Sequence, residues 1–211
     1  MNNVRIAIQS KGRMADNSLD FLYSLGLKFK ANGRNCIVEC ANYNLDILFL
    51  RDDDIPKYVE RGVADFGIVG ENVILEQNAR VKILKKLSFS FCSLVIAVLE
   101  SSLIQNVADL QNGRIATSYP NLLMAYLEEE KVNADILTLK GSVEIVPTLN
   151  LADAICDLTQ TGKTLKENNL RPIATILESQ AILIQSPFLT HRAVKGFELL
   201  FEKFSKKTVS L

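Results

Sequence analysis

Short apolar runs rich in β-branched residues recur along the chain at positions 4–8, 36–40, 46–50, 65–69, 94–98, 114–117, 135–139 and 153–157. Helical patterns lie between several of them. A chain built this way must stack helices against sheet to bury both kinds of element, so the class is α/β. Asn17 reads as the cap of a helix carrying Leu19, Leu22 and Leu25 and stopped by Gly26. Asp54 and Pro56 open another that ends at Gly62. From position 187 to 207, Val194, Phe197, Leu200, Phe201 and Phe204 recur at spacings of three and four, which predicts an amphipathic helix packed on a core.

An internal echo bears on the architecture. Gly62-Val63-Ala64-Asp65-Phe66-Gly67-Ile68 resembles Asn150-Leu151-Ala152-Asp153-Ala154-Ile155-Cys156, and a glycine-containing loop follows each, at Gly70 and Gly162. Two similar α/β lobes and a chance likeness both explain it, because the repeat lacks a solenoid signature. A boundary near Ser90, where a long strand-like run begins, divides the chain into a lobe of residues 1–90 plus 180–211 and a lobe of residues 91–179.

Several function classes are excluded on composition. Lys plus Arg and Asp plus Glu number 24 each, and no basic run marks a nucleic-acid groove, so any anion site is local. Cys36, Cys40, Cys92 and Cys156 show no paired CxxC spacing and His191 is distant from them, which predicts reduced thiols rather than a metal cage and suits the cytoplasm. The longest apolar stretch, residues 94–99, is far short of the ~18 residues of a membrane span. No leader is visible ahead of the first strand. Nucleophile-elbow, zinc-protease, Walker and dinucleotide motifs are absent from the sequence. His191 reads as a helix-face residue rather than a base.

The chemistry concentrates in Asp153-Ala-Ile-Cys-Asp157-Leu-Thr159-Gln-Thr161-Gly162-Lys163-Thr164. A buried strand ends in a carboxylate, and hydroxyls, a glycine and a lysine then crowd a turn before a helix. Backbone N–H groups there, with the Thr159, Thr161 and Thr164 hydroxyls, suit a terminal phosphate that Gly162 lets come close. Asp157 is placed to accept hydrogen bonds from sugar hydroxyls. The alternative is a strand, a polar turn and a Thr-capped helix. Ser10-Lys11-Gly12-Arg13 follows the first strand, where ligands bind in open α/β sheets. Arg34 and Arg51 flank strand-like runs, so three guanidiniums can meet one polyanion. Glu144, in Gly141-Ser142-Val143-Glu144, binds a hydroxyl or amine, or else helps cap a helix start with Ser142.

These blocks together carry a resemblance. Residues 6–14, 54–62, 64–70, 115–121, 141–144, 151–155 and 161–168 resemble, in family order, ATP phosphoribosyltransferase in its short form. The resemblance implies a two-lobed fold like the type 2 periplasmic binding proteins, with the active site in the inter-lobe cleft. It implies that adenine N1 of ATP attacks the anomeric carbon of phosphoribosyl pyrophosphate, the first step of histidine biosynthesis, with Mg²⁺ carried by the pyrophosphate. Residues 157–164 would hold the 5′-phosphate and ribose, Arg13 and Arg34 would neutralise the leaving pyrophosphate, and Lys11, Arg51, Glu144 and Asp153 would be further substrate contacts. By length, the resemblance is to the short form, expected to lack the regulatory domain of the long form. The resemblance therefore implies a regulatory subunit similar to histidyl-tRNA synthetase, with a homodimer of this chain inside a larger hetero-oligomer. Asn72, Ser118, Asn150 and Cys156 stand where Asp, Lys, Gly and Val are usual. A non-catalytic two-lobed solute-binding protein is the rival reading, set against the absence of a secretion signal and the density of arginines and hydroxyls.

Overall fold

The structure is a computed structural model that describes residues 3–30 and 35–189. It divides into two compact units. The described parts of Met1–Ile74, Asn78–Ser90 and Gln180–Leu211 form unit 1, and Leu75–Gln77 with Phe91–Ser179 form unit 2. Arg34, His191 and nearly all of the helical pattern over 187–207 lie outside the described residues.

Unit 1 holds strands β1 (Val4–Gln9), β2 (Ile37–Glu39), β3 (Leu45–Leu50), β4 (Phe66–Gly70) and β5 (Lys82–Lys86), with helices α1 (Arg13–Ser24), α2 (Ile55–Glu60) and α3 (Glu71–Gln77), the last three residues of which group with unit 2. Unit 2 holds β6 (Cys92–Leu99), β7 (Arg114–Thr117), β8 (Asp135–Thr138), β9 (Ala154–Thr159) and β10 (Leu170–Ser179), with helices α4 (Pro120–Glu130) and α5 (Lys163–Glu167). A last strand, β11 (Ala181–Gln185), returns to unit 1. The sheets run β2-β3-β1-β4-β11-β5 and β10-β6-β9-β7-β8.

Both sheets are buried on both faces, which explains why their central strands read as continuous apolar runs. In β1, Ile6 and Ile8 enter one core while Ala7 between them enters the other. In β6, Leu94, Ile96 and Val98 alternate with Val95 and Ala97 in the same way. Each large side chain sealed there, such as Phe66 at 1% exposure, contributes about 1.5–3 kcal/mol by leaving water. Gly67 allows α2 to press on β4, since a Cβ there would stand 2.8 Å from Ile55 Cγ2 and 3.0 Å from Val59 Cγ2.

The two sheets share a plan. In unit 1, β1 runs parallel to both β3 and β4, and β11 pairs antiparallel with β4. In unit 2, β7 runs parallel to both β8 and β9, and β6 pairs antiparallel with β9. The sequence echo thus falls on equivalent elements, the approaches to β4 and β9.

Local expectations need three corrections. Asn17 does not cap α1, which starts at Arg13 after Gly12; its amide instead donates to Ser90 Oγ at 3.0 Å. Ser142 makes no cap bond and sits in the left-handed region at φ 49°. Strands β5, β10 and β11 escape the run pattern. Three lysines interrupt β5, two register shifts break the alternation of β10, and β11 is too buried to alternate.

Candidate active site

Parallel strands deliver their exits to one edge of a sheet, and each unit does this with chemically distinctive residues. In unit 1, Gln9 of β1 stands level with Leu50 of β3, and the Ser10 N–H donates to the Leu50 carbonyl at 2.8 Å. The β1 exit, Lys11-Gly12-Arg13, and the β3 exit, Arg51, are therefore side by side. Gly12 makes the turn into α1 at φ 90°, a conformation open to glycine and costly to other residues. Lys11, Arg13 and Arg51 are exposed and form no ion pair among the described residues. That edge is a patch of unneutralised cations.

In unit 2 the exits of β7, β8 and β9 share an edge, bringing together Ser118, the 141–144 turn and the loop after Asp157. The loop is built by its own side chain. Thr159 Oγ1 accepts the Gly162 N–H at 3.0 Å, closing a turn that leaves Gly162 at φ 71° as the residue before α5. Helix α5 has no side-chain cap, so Thr159 closes the turn rather than capping the helix as the Thr-capped alternative had it. The first intrahelical bond runs from the Lys166 N–H to the Gly162 carbonyl at 3.0 Å. The N–H groups of Lys163, Thr164 and Leu165 take no acceptor among the described residues. A helix start so bare is a ready donor set for an anion. A Cβ on Gly162 would meet nothing within 4 Å, so the space above the turn is open. Thr161 and Thr164 are exposed there, and Lys163 reaches Glu167 at 3.7 Å along the helix.

Burial pushes the Asp157 carboxyl above its ordinary value; the Leu158 N–H, donating to Oδ1 at 2.8 Å, pulls it down, and the Glu144 charge raises it further. Glu144 is thus near enough to be felt, and itself only half exposed. Asp153 is not at this edge. It precedes β9 at the opposite end and its Oδ2 accepts the Arg114 N–H at 2.8 Å. Sequence reasoning passed over Glu76, whose carboxylate accepts the Asn121 N–H at 3.0 Å and the Leu122 N–H at 2.9 Å at the start of α4. Nothing in a separation of 45 residues signals such a contact. Of the family departures, Asn150 sits at φ 54°, a conformation that asparagine tolerates best after glycine. Cys156 is a fully buried small apolar residue in β9.

The HisG family model, ATP phosphoribosyltransferase, matches residues 51–206, which include both Asp157 and the whole of the loop. The chain belongs to the ATP phosphoribosyltransferase family. Members of that name from Maricaulis maris and Cytophaga hutchinsonii are each 43% identical to it, over 87% and 89% of this chain, and the chain spans 65% of the length of each. A solved ATP phosphoribosyltransferase (HisG:HisZ) complex from Thermotoga maritima superposes with a TM-score of 0.79 at 30% identity, covering 96% of this chain and 99% of that one. An alkanesulfonate-binding protein from Xanthomonas axonopodis pv. citri superposes with a TM-score of 0.61 at 15% identity, covering 98% of this chain and 71% of that one. The chain therefore has the two-lobed α/β fold of the type 2 periplasmic binding proteins. No helix among its described residues is long and apolar enough to cross a membrane.

Proposed function

We propose that the chain joins N1 of ATP to the anomeric carbon of phosphoribosyl pyrophosphate, giving phosphoribosyl-ATP and pyrophosphate, the first step of histidine biosynthesis. The observation that carries this is the 159–164 turn, a left-handed glycine under open space beside three N–H groups with no acceptor among the described residues. Those donors and the Thr161 and Thr164 hydroxyls hold the 5′-phosphate, and Asp157 and Glu144 take ribose hydroxyls. Arg13 stabilises the charge that develops on the departing pyrophosphate, with Lys11 and Arg51 as further anion contacts; Arg34 joins it on sequence grounds alone.

In the step itself the N1 lone pair forms the new C–N bond while the anomeric C–O bond breaks and its electron pair leaves on pyrophosphate, with inversion. Neutral adenine carries no proton on N1, so no general base is required and catalysis rests on positioning and charge stabilisation. Among the described residues no three His, Cys, Asp or Glu side chains gather to hold a cation. Following the family resemblance, we assign Mg²⁺ to the substrate, where it would neutralise the pyrophosphate before and after the bond breaks.

The Thermotoga maritima structure is of a HisG:HisZ complex. By extension we propose a regulatory subunit similar to histidyl-tRNA synthetase, a homodimer of this chain within the larger assembly, and a cytoplasmic location. A solute-binding role is favoured only by structures such as the alkanesulfonate-binding protein at 15% identity, a likeness of fold alone. The test is to mix the chain with ATP, phosphoribosyl pyrophosphate and Mg²⁺ and follow nucleotide absorbance and pyrophosphate. Both should rise together. Binding of phosphoribosyl pyrophosphate without release of pyrophosphate, with and without the regulatory subunit, overturns the proposal.

A further inference from the structure

Thr117, the last residue of β7, is completely buried, yet its side chain is polar. Its hydroxyl donates to the Cys156 carbonyl at 2.8 Å and accepts the Tyr119 N–H at 2.8 Å. The parallel ladder between β7 and β9 ends at the pair Thr117 and Cys156. Beyond that pair β9 continues as Asp157, Leu158 and Thr159 with no further ladder pairing on its β7 side. The Thr117 hydroxyl is thus a side-chain tie on that flank just before the carboxylate and the turn. The neighbouring residue serves the other flank: Ser118 Oγ donates to the Leu139 carbonyl at 2.9 Å, and the Leu139 N–H donates to the Thr117 carbonyl at 2.9 Å. Two adjacent hydroxyls therefore link the β7 exit to the exits of β8 and β9, which lead to Glu144 and to Asp157.

We propose that Thr117 is a positioning residue for phosphoribosyl pyrophosphate, acting through the Cys156 carbonyl on Asp157 and the 159–164 turn, an inference that rests on the function proposed above. Threonine is required for its hydroxyl and not for its shape. Valine fills the same volume but takes the hydroxyl away from the Cys156 carbonyl in the buried interior and from the part-buried Tyr119 N–H, and the strand end must shift to make up the loss. Displacement of a binding group by about 1 Å is enough to cost on the order of a hundredfold in turnover.

The experiment compares the full-length parent, Thr117→Val, Thr117→Ser and Leu123→Ala. Leu123 is fully buried in unit 2 and its side chain carries no polar group, so its truncation supplies a loss of stability while the Thr117 hydroxyl stays in place. Thr117→Val should raise KM for phosphoribosyl pyrophosphate roughly tenfold or more, leave KM for ATP unchanged, and be rescued by Thr117→Ser. Leu123→Ala should lower the melting temperature with KM for both substrates unchanged. Equal KM for phosphoribosyl pyrophosphate in Thr117→Val and parent, or an equal rise in Thr117→Val and Leu123→Ala, overturns the positioning role while leaving the proposed activity standing. A parent that neither binds nor turns over phosphoribosyl pyrophosphate overturns the activity itself.

Discussion

Asp153 and Arg114 exchange two hydrogen bonds across the start of β9: Oδ2 of Asp153 accepts the Arg114 N–H at 2.8 Å, and the Asp153 N–H donates to the Arg114 carbonyl at 2.9 Å. Unit 1 repeats the arrangement with Asp65 and Arg5, at 2.8 and 2.9 Å. The guanidiniums repeat it too, Arg114 pairing with Asp135 at 2.6 Å and Arg5 with Asp46 at 3.9 Å. In each unit the clamp joins the three parallel strands at the end remote from the loops proposed to hold substrate. Shared topology, register and clamp favour duplication over chance as the source of the sequence echo.

Asp153→Ala should therefore act on folding and not on substrate. Losing one hydrogen bond to a backbone N–H costs about 0.5–1.5 kcal/mol, which is a few degrees in the melting temperature of a unit this size. KM for phosphoribosyl pyrophosphate should stay at the parent value. A selective rise in that KM with no change in melting would return Asp153 to the substrate contacts.

Gly162→Val separates conformation from space. The position is left-handed at φ 71°, which a β-branched residue adopts with strain, but no neighbouring atom blocks its side chain. The variant should fold with a modest loss of stability and lose phosphoribosyl pyrophosphate binding by calorimetry, because the valine occupies the room the phosphate needs. Parent-like affinity would make the turn a structural one.

Asp157→Asn should stabilise the protein while harming it. Folding raises this carboxyl's pKa above 3.8, chiefly through burial, so the native state holds the proton more tightly than the unfolded chain. The stability held by the protonated form is complete below 3.8 and declines as pH rises toward the native value. Asparagine removes that decline and keeps an oxygen for the Leu158 N–H. Its melting temperature should exceed the parent's at neutral pH, the gap closing on acidification, while affinity for the ribose falls. A variant less stable than the parent at pH 7 would contradict this.

Arg13→Ala should leave melting unchanged, since the side chain is exposed and unpaired among the described residues. Turnover should fall by about 3 kcal/mol of transition-state stabilisation, roughly a hundredfold or more, read as kcat under saturating substrates. Near-normal kcat removes Arg13 from the leaving group.

The α/β class was legible because buried parallel strands concentrate β-branched residues and helices between them carry their own stop signals, as Gly26 and Gly62 do. The 157–164 segment stood out as a carboxylate near a strand end followed by three threonines around a glycine, a pattern that spacing alone shared with a polar turn; the strand itself runs two residues past Asp157, to Thr159. What stayed hidden was long-range or exceptional. The Thr117 tie joins residues 39 apart, and the Asn17 amide finds Ser90 across 73 residues. Asn17 looked like a cap because its residue type favours one, but Gly12 had already turned the chain into α1 five residues earlier.

The position of β11 between β4 and β5 bears on how the chain is made. On the ribosome β4, every residue of which is destined for burial, is complete at Gly70, while its partner spans Ala181–Gln185. At roughly 5–20 residues per second, that edge waits on the order of ten seconds for its neighbour. Unit 2 has by then emerged almost entire and can pair its own strands. An open, apolar strand edge is a template for the wrong partner, so the growing chain is most exposed to misassembly through a segment that is among the best protected in the finished molecule.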